Sequence, residues 1–425
     1  MKYLLSVILT FCCLLTASCS VFPERAPKYD PTVDYEIDDI KKDFPSLSNV
    51  PVLYINIDKE AWLITKEEYI SAVVTAPDSG LVEVDASLKG RGNASWGLPQ
   101  KPFNLKFPTE TNLFGMGSAK SWVLITLFYD KTLLRNYLTL NLAETVSSGA
   151  EMDCMFVEVV LNGEYNGLYL LTEKVEDEKT RVDLSKKTGD ALFEIEQAYR
   201  HNDICDNCIH LKSNTHITFK DPEPEDLTGV EFENLHEQMS GLLTDADNAI
   251  RSRDFQQISK FIDVDSFINW YIVNEFVKNY DSQFVTSCYC YIKNGILYMG
   301  PGWDYDTCMG NQDVASCLSP NGLHVRQAPW FNHLMRTGEF FDLVCERWNE
   351  LVSDGVFDGM LKSIDEQTEY LSEASVSHFE RWPDSLRSSD LRGRHALFTY
   401  EEEISYLKDW IEKRVEYLNQ KWTVD

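Results

Sequence analysis

Near residue 220 the chain changes its periodicity, and that change limits the folds open to it. Before it, apolar residues alternate with polar ones as in half-buried strands. After it, they recur at helical spacing. Residues 52–57 (Val-Leu-Tyr-Ile-Asn-Ile) form a β-type run, and residues 82–89 alternate. In the stretch 101–107, Phe103, Leu105 and Phe107 fall on one face, with Asn104 and Lys106 on the other. Asn162-Gly163 lies between two apolar runs and predicts a hairpin. One helix interrupts these strands, with Asp130 as its expected N-cap and Leu133, Leu134, Tyr137, Leu138 and Leu142 at helical spacing. Beyond Asp221-Pro222-Glu223-Pro224, residues 227–250 are amphipathic and residues 267–277 are apolar on nearly every side, as in a buried helix. The expected class is α+β in two lobes: a β-rich N-terminal lobe over 46–220 and a mainly helical C-terminal lobe over 221–425.

The first residues set the compartment. Lys2 precedes an apolar run over 3–15, and Thr16-Ala17-Ser18-Cys19 follows. This reads as a lipoprotein signal over 1–18 with Cys19 lipidated, the alternative being an ordinary signal peptide with an incidental cysteine. The polar, proline-bearing stretch to about residue 45 reads as a tether from Cys19. No later segment is long and apolar enough to span a bilayer, so the membrane is reached through the N-terminal lipid alone. The expected location is the cell envelope, on a periplasmic or surface face.

With 44% hydrophobic residues among 425, the chain has material for a large core. Its formal net charge of −29 excludes nucleic acid as a natural partner, because phosphate would be repelled. A nucleotide site would need local basic residues or a divalent metal. Eight cysteines follow Cys19. Cys205-Asp206-Asn207-Cys208 has no second such pair and no histidine at zinc spacing, so it reads as a local disulfide or as free thiols rather than a zinc site.

Two acidic clusters carry the chemistry. Asn279-Tyr280-Asp281 precedes a short hairpin turning at Asn294-Gly295, and Gly302-Trp303-Asp304-Tyr305-Asp306 follows it, with Gly310-Asn311 behind. The hairpin would bring the clusters together, so that two carboxylates could act on one metal-bound phosphate, the order that protein kinases use. Gly90-Arg91-Gly92-Asn93-Ala94-Ser95-Trp96-Gly97 is a turn able to offer backbone amides and the Arg91 charge to an anion. Lys101 and Lys106 lie in the next strand, Lys106 the expected phosphate lysine and Lys101 the alternate.

These segments, with Trp122-Val123-Leu124, the run from Tyr129 to Asn136 and that from Val160 to Val175, resemble the CotH family, the spore-coat protein H kinases, which are atypical secreted protein kinases. The resemblance covers about residues 52–311. It implies an atypical protein-kinase-like fold, with Asp281 as catalytic base, Asp304 as metal ligand and Asp306 as second ligand or its support. It also implies Mg²⁺ or Mn²⁺, ATP as co-substrate, and an exported protein as substrate. Residues 171–175, with Glu173 at the centre, would form the hinge at adenine. Outer-membrane sorting through Ser20 after Cys19 is a further family-level expectation. Ser287 stands nearest to where many members have a metal-binding Asn, and Glu144 is the acidic residue that the helix offers to Lys106. Two other readings stay open: a non-catalytic kinase-like surface or scaffold lipoprotein, and a glycosidase using Asp281 and Asp304 as paired carboxylates.

Overall fold

The computed structural model describes residues 42–146, 152–179, 181–184, 189–197, 205, 207–387 and 396–423. The signal segment, Cys19 and nearly all of the tether lie outside them. No helix among the described residues is long and apolar enough to cross a membrane.

The strands β1 (Val52–Ile57), β2 (Ile70–Ala76), β3 (Leu81–Gly90), β4 (Phe103–Asn112), β5 (Ser118–Thr126), β6 (Cys154–Leu161) and β7 (Glu164–Glu173) close into a barrel in the order β1-β2-β3-β4-β5-β7-β6. Six of the seven contacts are antiparallel. The seventh, β1 with β6, is parallel, and it seals the barrel (Val52↔Glu158, Ile55↔Leu161). Closure leaves no open edge. The interior is filled by alternate residues: Leu53 and Ile55, Leu105 and Phe107, Trp122 and Leu124, Val157 and Val159, Tyr169 and Leu171. In β4 the expected alternation holds, with Phe103, Leu105 and Phe107 inside and Lys106 exposed. At the β6–β7 hairpin, Leu161 faces Glu164 across Asn162 and Gly163, whose φ angles of +51° and +79° suit a type I′ turn.

The outer face of β5, β6 and β7 is also buried. Val123, Ile125, Phe156, Leu168 and Leu170 join the second core, beneath helix α1 (Arg135–Val146). That helix starts later than the sequence suggests. Leu133 has φ +64°, which breaks the helix between Asp130 and Arg135. Asp130 therefore acts at a distance: its carboxylate accepts the Arg135 backbone N–H (2.7 Å) and the Arg135 guanidinium (2.5 Å), with both side chains buried.

A second sheet has the order β12-β11-β8-β10-β9. It comprises β8 (Ala191–Glu196), β9 (Cys208–His210), β10 (His216–Asp221), β11 (Cys288–Lys293) and β12 (Ile296–Met299), so its strands come from both sides of residue 221. The β11–β12 turn is Asn294-Gly295, again with both φ angles positive, +54° and +79°. Against this sheet pack α2 (Gly229–Ser252) and α3 (Val264–Val277), and the layer is extended by α4 (Gly338–Ser353), α5 (Val356–Tyr370), α6 (Ser372–Arg381) and α7 (Tyr400–Trp422). Helix α2 starts with a capping box, Thr228 and Glu231 satisfying one another's backbone N–H groups. Helix α3 is buried at every residue from Ser266 onward, as its all-round apolar sequence requires.

Helix α7 holds the loops beside the second sheet. Buried Arg414 pairs with Glu275 of α3 (2.9 Å) and donates to the carbonyls of Glu275, Phe276, Pro320 and Gly322. From the same helix, the Trp410 indole N–H donates to the Leu318 carbonyl and Tyr406 to that of Gly310. Helix α6 packs on β7, where the Leu168 backbone N–H donates to buried His378 Nδ1 (3.2 Å).

Candidate active site

A cavity of about 600 Å³, the size of a nucleotide-scale ligand site, opens between the barrel and the second sheet. Its roof is the loop after β3. Gly92 has φ +83°, and a Cβ there would meet Ser95 Oγ at 2.2 Å, so glycine is required. A Cβ at Gly90 would strike the Trp96 ring at 2.3 Å. Lys66 Nζ holds the Gly92 carbonyl (3.0 Å), and the Arg91 N–H bonds the Pro102 carbonyl (3.2 Å). The Arg91 guanidinium lies 5.0 Å from the centre of the Trp303 ring and faces Asp304, which offsets part of its burial cost.

The floor is acidic. Helix α3 ends at Lys278 (φ +50°), and one 3₁₀ turn, Tyr280–Gln283, presents Asp281 to the cavity. The Asp281 carbonyl accepts the Val285 N–H and the Cys288 thiol, which pins the turn to β11. Asp304 sits across from it with φ +64°, a left-handed conformation costing about 1–3 kcal/mol in a non-glycine residue. Its neighbours hold it there. Asn279 Nδ2 donates to the Asp304 carbonyl (3.3 Å), and the Tyr305 N–H donates to Asn136 Oδ1 on α1 (2.8 Å). Arg135 reaches across to the Cys308 and Met309 carbonyls. The run from Tyr129 to Asn136 is thus a brace for the loop that carries Asp304 and Asp306.

Burial pushes the Asp304 carboxyl above its usual range, with Arg91 and the Ser287 hydroxyl (3.4 Å) opposing. Burial likewise pushes Asp306 well up, and the negative charges of Asp304, Asp281 and Asp130 push it further. Three carboxylates lining one cavity repel one another unless a cation joins them. Hard oxygen donors of this kind suit Mg²⁺ or Mn²⁺, so the residues fit such an ion, with Asp304 and Asp306 as the side chains to hold it.

Of the residues singled out by sequence, Arg91, Asp281, Asp304 and Asp306 line this one cavity. Lys101, Lys106 and Glu173 are not brought to it. Lys101 Nζ donates to the Trp96 carbonyl (2.7 Å) and lies over the Trp96 ring. Lys106 projects from the outer face of the barrel, 5.9 Å from the Tyr69 ring centre. The buried carboxylate of Glu173, on the expected hinge, accepts from Arg181 (3.3 Å) and from the Asp153 N–H (3.1 Å). Glu144 is exposed on α1.

The lysine that does line the cavity is Lys220 of β10, paired with Glu194 of β8 at 2.6 Å. Burial works against the Lys220 charge, but Glu194 outweighs it and keeps the ammonium protonated. Glu194 also accepts the Ser287 backbone N–H (3.0 Å), tying the basic group to the acidic floor. Sequence reasoning missed this pair. Its one local signal was a lysine closing the alternating run 216–221.

The chain is 24% identical over 232 residues to inner spore coat protein H of Bacillus subtilis (strain 168). That alignment takes in 53% of this chain and 59% of the relative, so less than two thirds of the relative's length is spanned. The pattern of the family described as CotH kinase protein matches residues 88–418, from the strand before the glycine loop into the last turns of α7. A match over most of the chain shows that it belongs to the CotH kinase protein family.

Proposed function

We propose that the protein is an exported, lipid-anchored protein kinase that transfers the γ-phosphoryl group of ATP to a Ser or Thr hydroxyl. One observation carries this reading: Asp281, Asp304 and Asp306 converge beneath a glycine loop bearing Arg91, with the Lys220–Glu194 pair at the same cavity. An acidic protein can hold a polyphosphate only where positive charge is supplied, here by Arg91, Lys220 and the cation that the carboxylates would hold. Arg91 and Lys220 bind phosphate oxygens, and the loop amides add donors. Asp304 and Asp306 would hold Mg²⁺ or Mn²⁺, which neutralises charge on the phosphates. Asp281 orients the incoming hydroxyl and takes its proton. Trp303 and Tyr289 give the floor its aromatic surface.

A second reading keeps the fold without turnover, as a surface or scaffold lipoprotein. It is favoured by Ser287, whose hydroxyl contacts Asp304 where an amide ligand for a second metal would otherwise be expected. The deciding experiment incubates the chain produced without residues 1–19 with labelled ATP and Mg²⁺ or Mn²⁺. Metal-dependent transfer of label to the protein or to added hydroxyl acceptors supports the kinase. Nucleotide binding without transfer supports the scaffold, and absence of both removes the nucleotide reading.

A further inference from the structure

Away from the cavity, β9 and β10 build a second cluster of chemically active side chains. Cys205 and Cys208 form a disulfide, and the Cys208 N–H donates back to the Cys205 carbonyl (3.4 Å). β9 pairs with β10 in the register His210↔His216 and Cys208↔Thr218. Linear spacing conceals what this pairing does: it carries His216 to the cysteine pair. One imidazole nitrogen and the two sulfurs lie within 4.8 Å of one another. The His210 ring lies beside that of His216, with centroids 4.4 Å apart. Thr218 Oγ1 is 3.6 Å from Cys208 Sγ, and His236 of α2 reaches the Cys208 carbonyl (3.3 Å). Cys208 and His216 are buried, so the pair is set in the fold rather than on a loose surface.

We propose that reduction of the Cys205–Cys208 disulfide uncovers a site for a thiophilic divalent cation of the Zn²⁺ type. Cys205, Cys208 and His216 are its ligands, with the fourth position left to solvent. Two sulfurs and one imidazole on a tetrahedral ion are the donor set such a cation selects. The Asp304 and Asp306 oxygens select a hard cation instead, so the two sites sort different metals. The redox step balances with a dithiol reductant. It supplies two electrons, the S–S bond breaks, two thiols form, and the reductant closes to its own disulfide. Metal binding then displaces the two thiol protons. A disulfide oxidant reverses the sequence and expels the ion. The consequence is mechanical: the ion would clamp together the start of β9 and the start of β10, the strand whose far end holds Lys220.

The test uses the full chain, reduced with a phosphine and freed of metal, then titrated with Co²⁺ and afterwards with Zn²⁺. Expected are one equivalent of Co²⁺ with visible bands of a tetrahedral ion and near-ultraviolet thiolate-to-cobalt charge transfer, both erased by Zn²⁺. Cys208→Ser should abolish the charge-transfer signal at this stoichiometry, and His216→Asn should weaken binding more than about tenfold. Zn²⁺ should slow alkylation of Cys205 and Cys208 in the parent, a readout that needs no variant to fold. Untreated, disulfide-bonded chain should give no charge transfer. The proposal is overturned if the reduced chain shows none either, if the signal survives Cys208→Ser, or if Zn²⁺ leaves alkylation unchanged.

Discussion

Asp281 and Asp304 face each other across one cavity, yet substitution should separate them. On the proposed mechanism Asp281 addresses the acceptor hydroxyl, so Asp281→Asn should cut phosphoryl transfer by orders of magnitude and leave ATP affinity nearly unchanged. Asp304→Asn or Asp304→Ala should remove metal-dependent nucleotide binding with the fold intact. Calorimetry and turnover on the same preparations check the contrast, and equal loss of affinity in both would make Asp281 a metal ligand. Lys220 supplies a third case. Lys220→Met removes a phosphate donor and leaves Glu194 facing the phosphates, so nucleotide affinity should fall by roughly tenfold or more. Lys106→Met, on the outer barrel face, should change it little, and a titration of both variants decides which lysine serves the site. The sequence suggested Lys106 because it neighbours the glycine loop on a non-core strand face. What it could not convey is that barrel closure turns that face outward, while β10 delivers Lys220 from more than a hundred residues downstream.

At the scale of elements, signals that act over a few residues were legible. The Asn-Gly hairpins, the alternation of β4 and the buried helix α3 each depend on neighbours close in sequence, and each stands where its pattern placed it. Pairings between distant segments were not legible. Nothing local joins β1 to β6 in parallel, aligns Glu194 with Lys220, or brings His216 to Cys208. The start of α1 lies between these cases. Asp130 was recognisable as a helix-starting residue, but its partner, Arg135, also braces the loop of Asp304 and Asp306. Arg135→Met leaves the Asp130 carboxylate buried and uncompensated, which should cost about 3–5 kcal/mol. Urea denaturation measures the loss, and nucleotide affinity should fall with it because the brace is gone.

At the scale of the molecule, the barrel and the helices are joined where His378 accepts the Leu168 N–H. Burial lowers the His378 pKa to about 3. The unfolded chain, with the ordinary value near 6.5, therefore binds a proton across the interval that the folded chain refuses. This contribution to stability is full above about pH 6.5 and is lost as pH falls toward 3, the loss reaching about 2 kcal/mol at pH 5. His378→Gln can still accept from Leu168 but cannot titrate. Its stability should depend less steeply on pH between 6.5 and 4 than that of the parent, as denaturation at several pH values would show. The proposed anchor belongs to this scale too. Cys19→Ser should release the protein from membranes on fractionation, and persistent association would count against lipidation.

Helix α7 contributes no side chain to the cavity, but its Arg414, Trp410 and Tyr406 hold the segments that follow Asp281 and Asp306. During synthesis, every carboxylate of the site emerges well before this helix does. A nascent chain stopped short of Tyr400 would carry all the acidic residues and still leave Glu275 without its arginine partner and the 310–322 segment without its contacts to Tyr406, Trp410 and Arg414. The cavity is thus completed with a delay, since the helix that steadies its loops is made after every residue that lines it, and on the proposed function a chain still being threaded through a ribosome or an export channel would not yet turn over ATP.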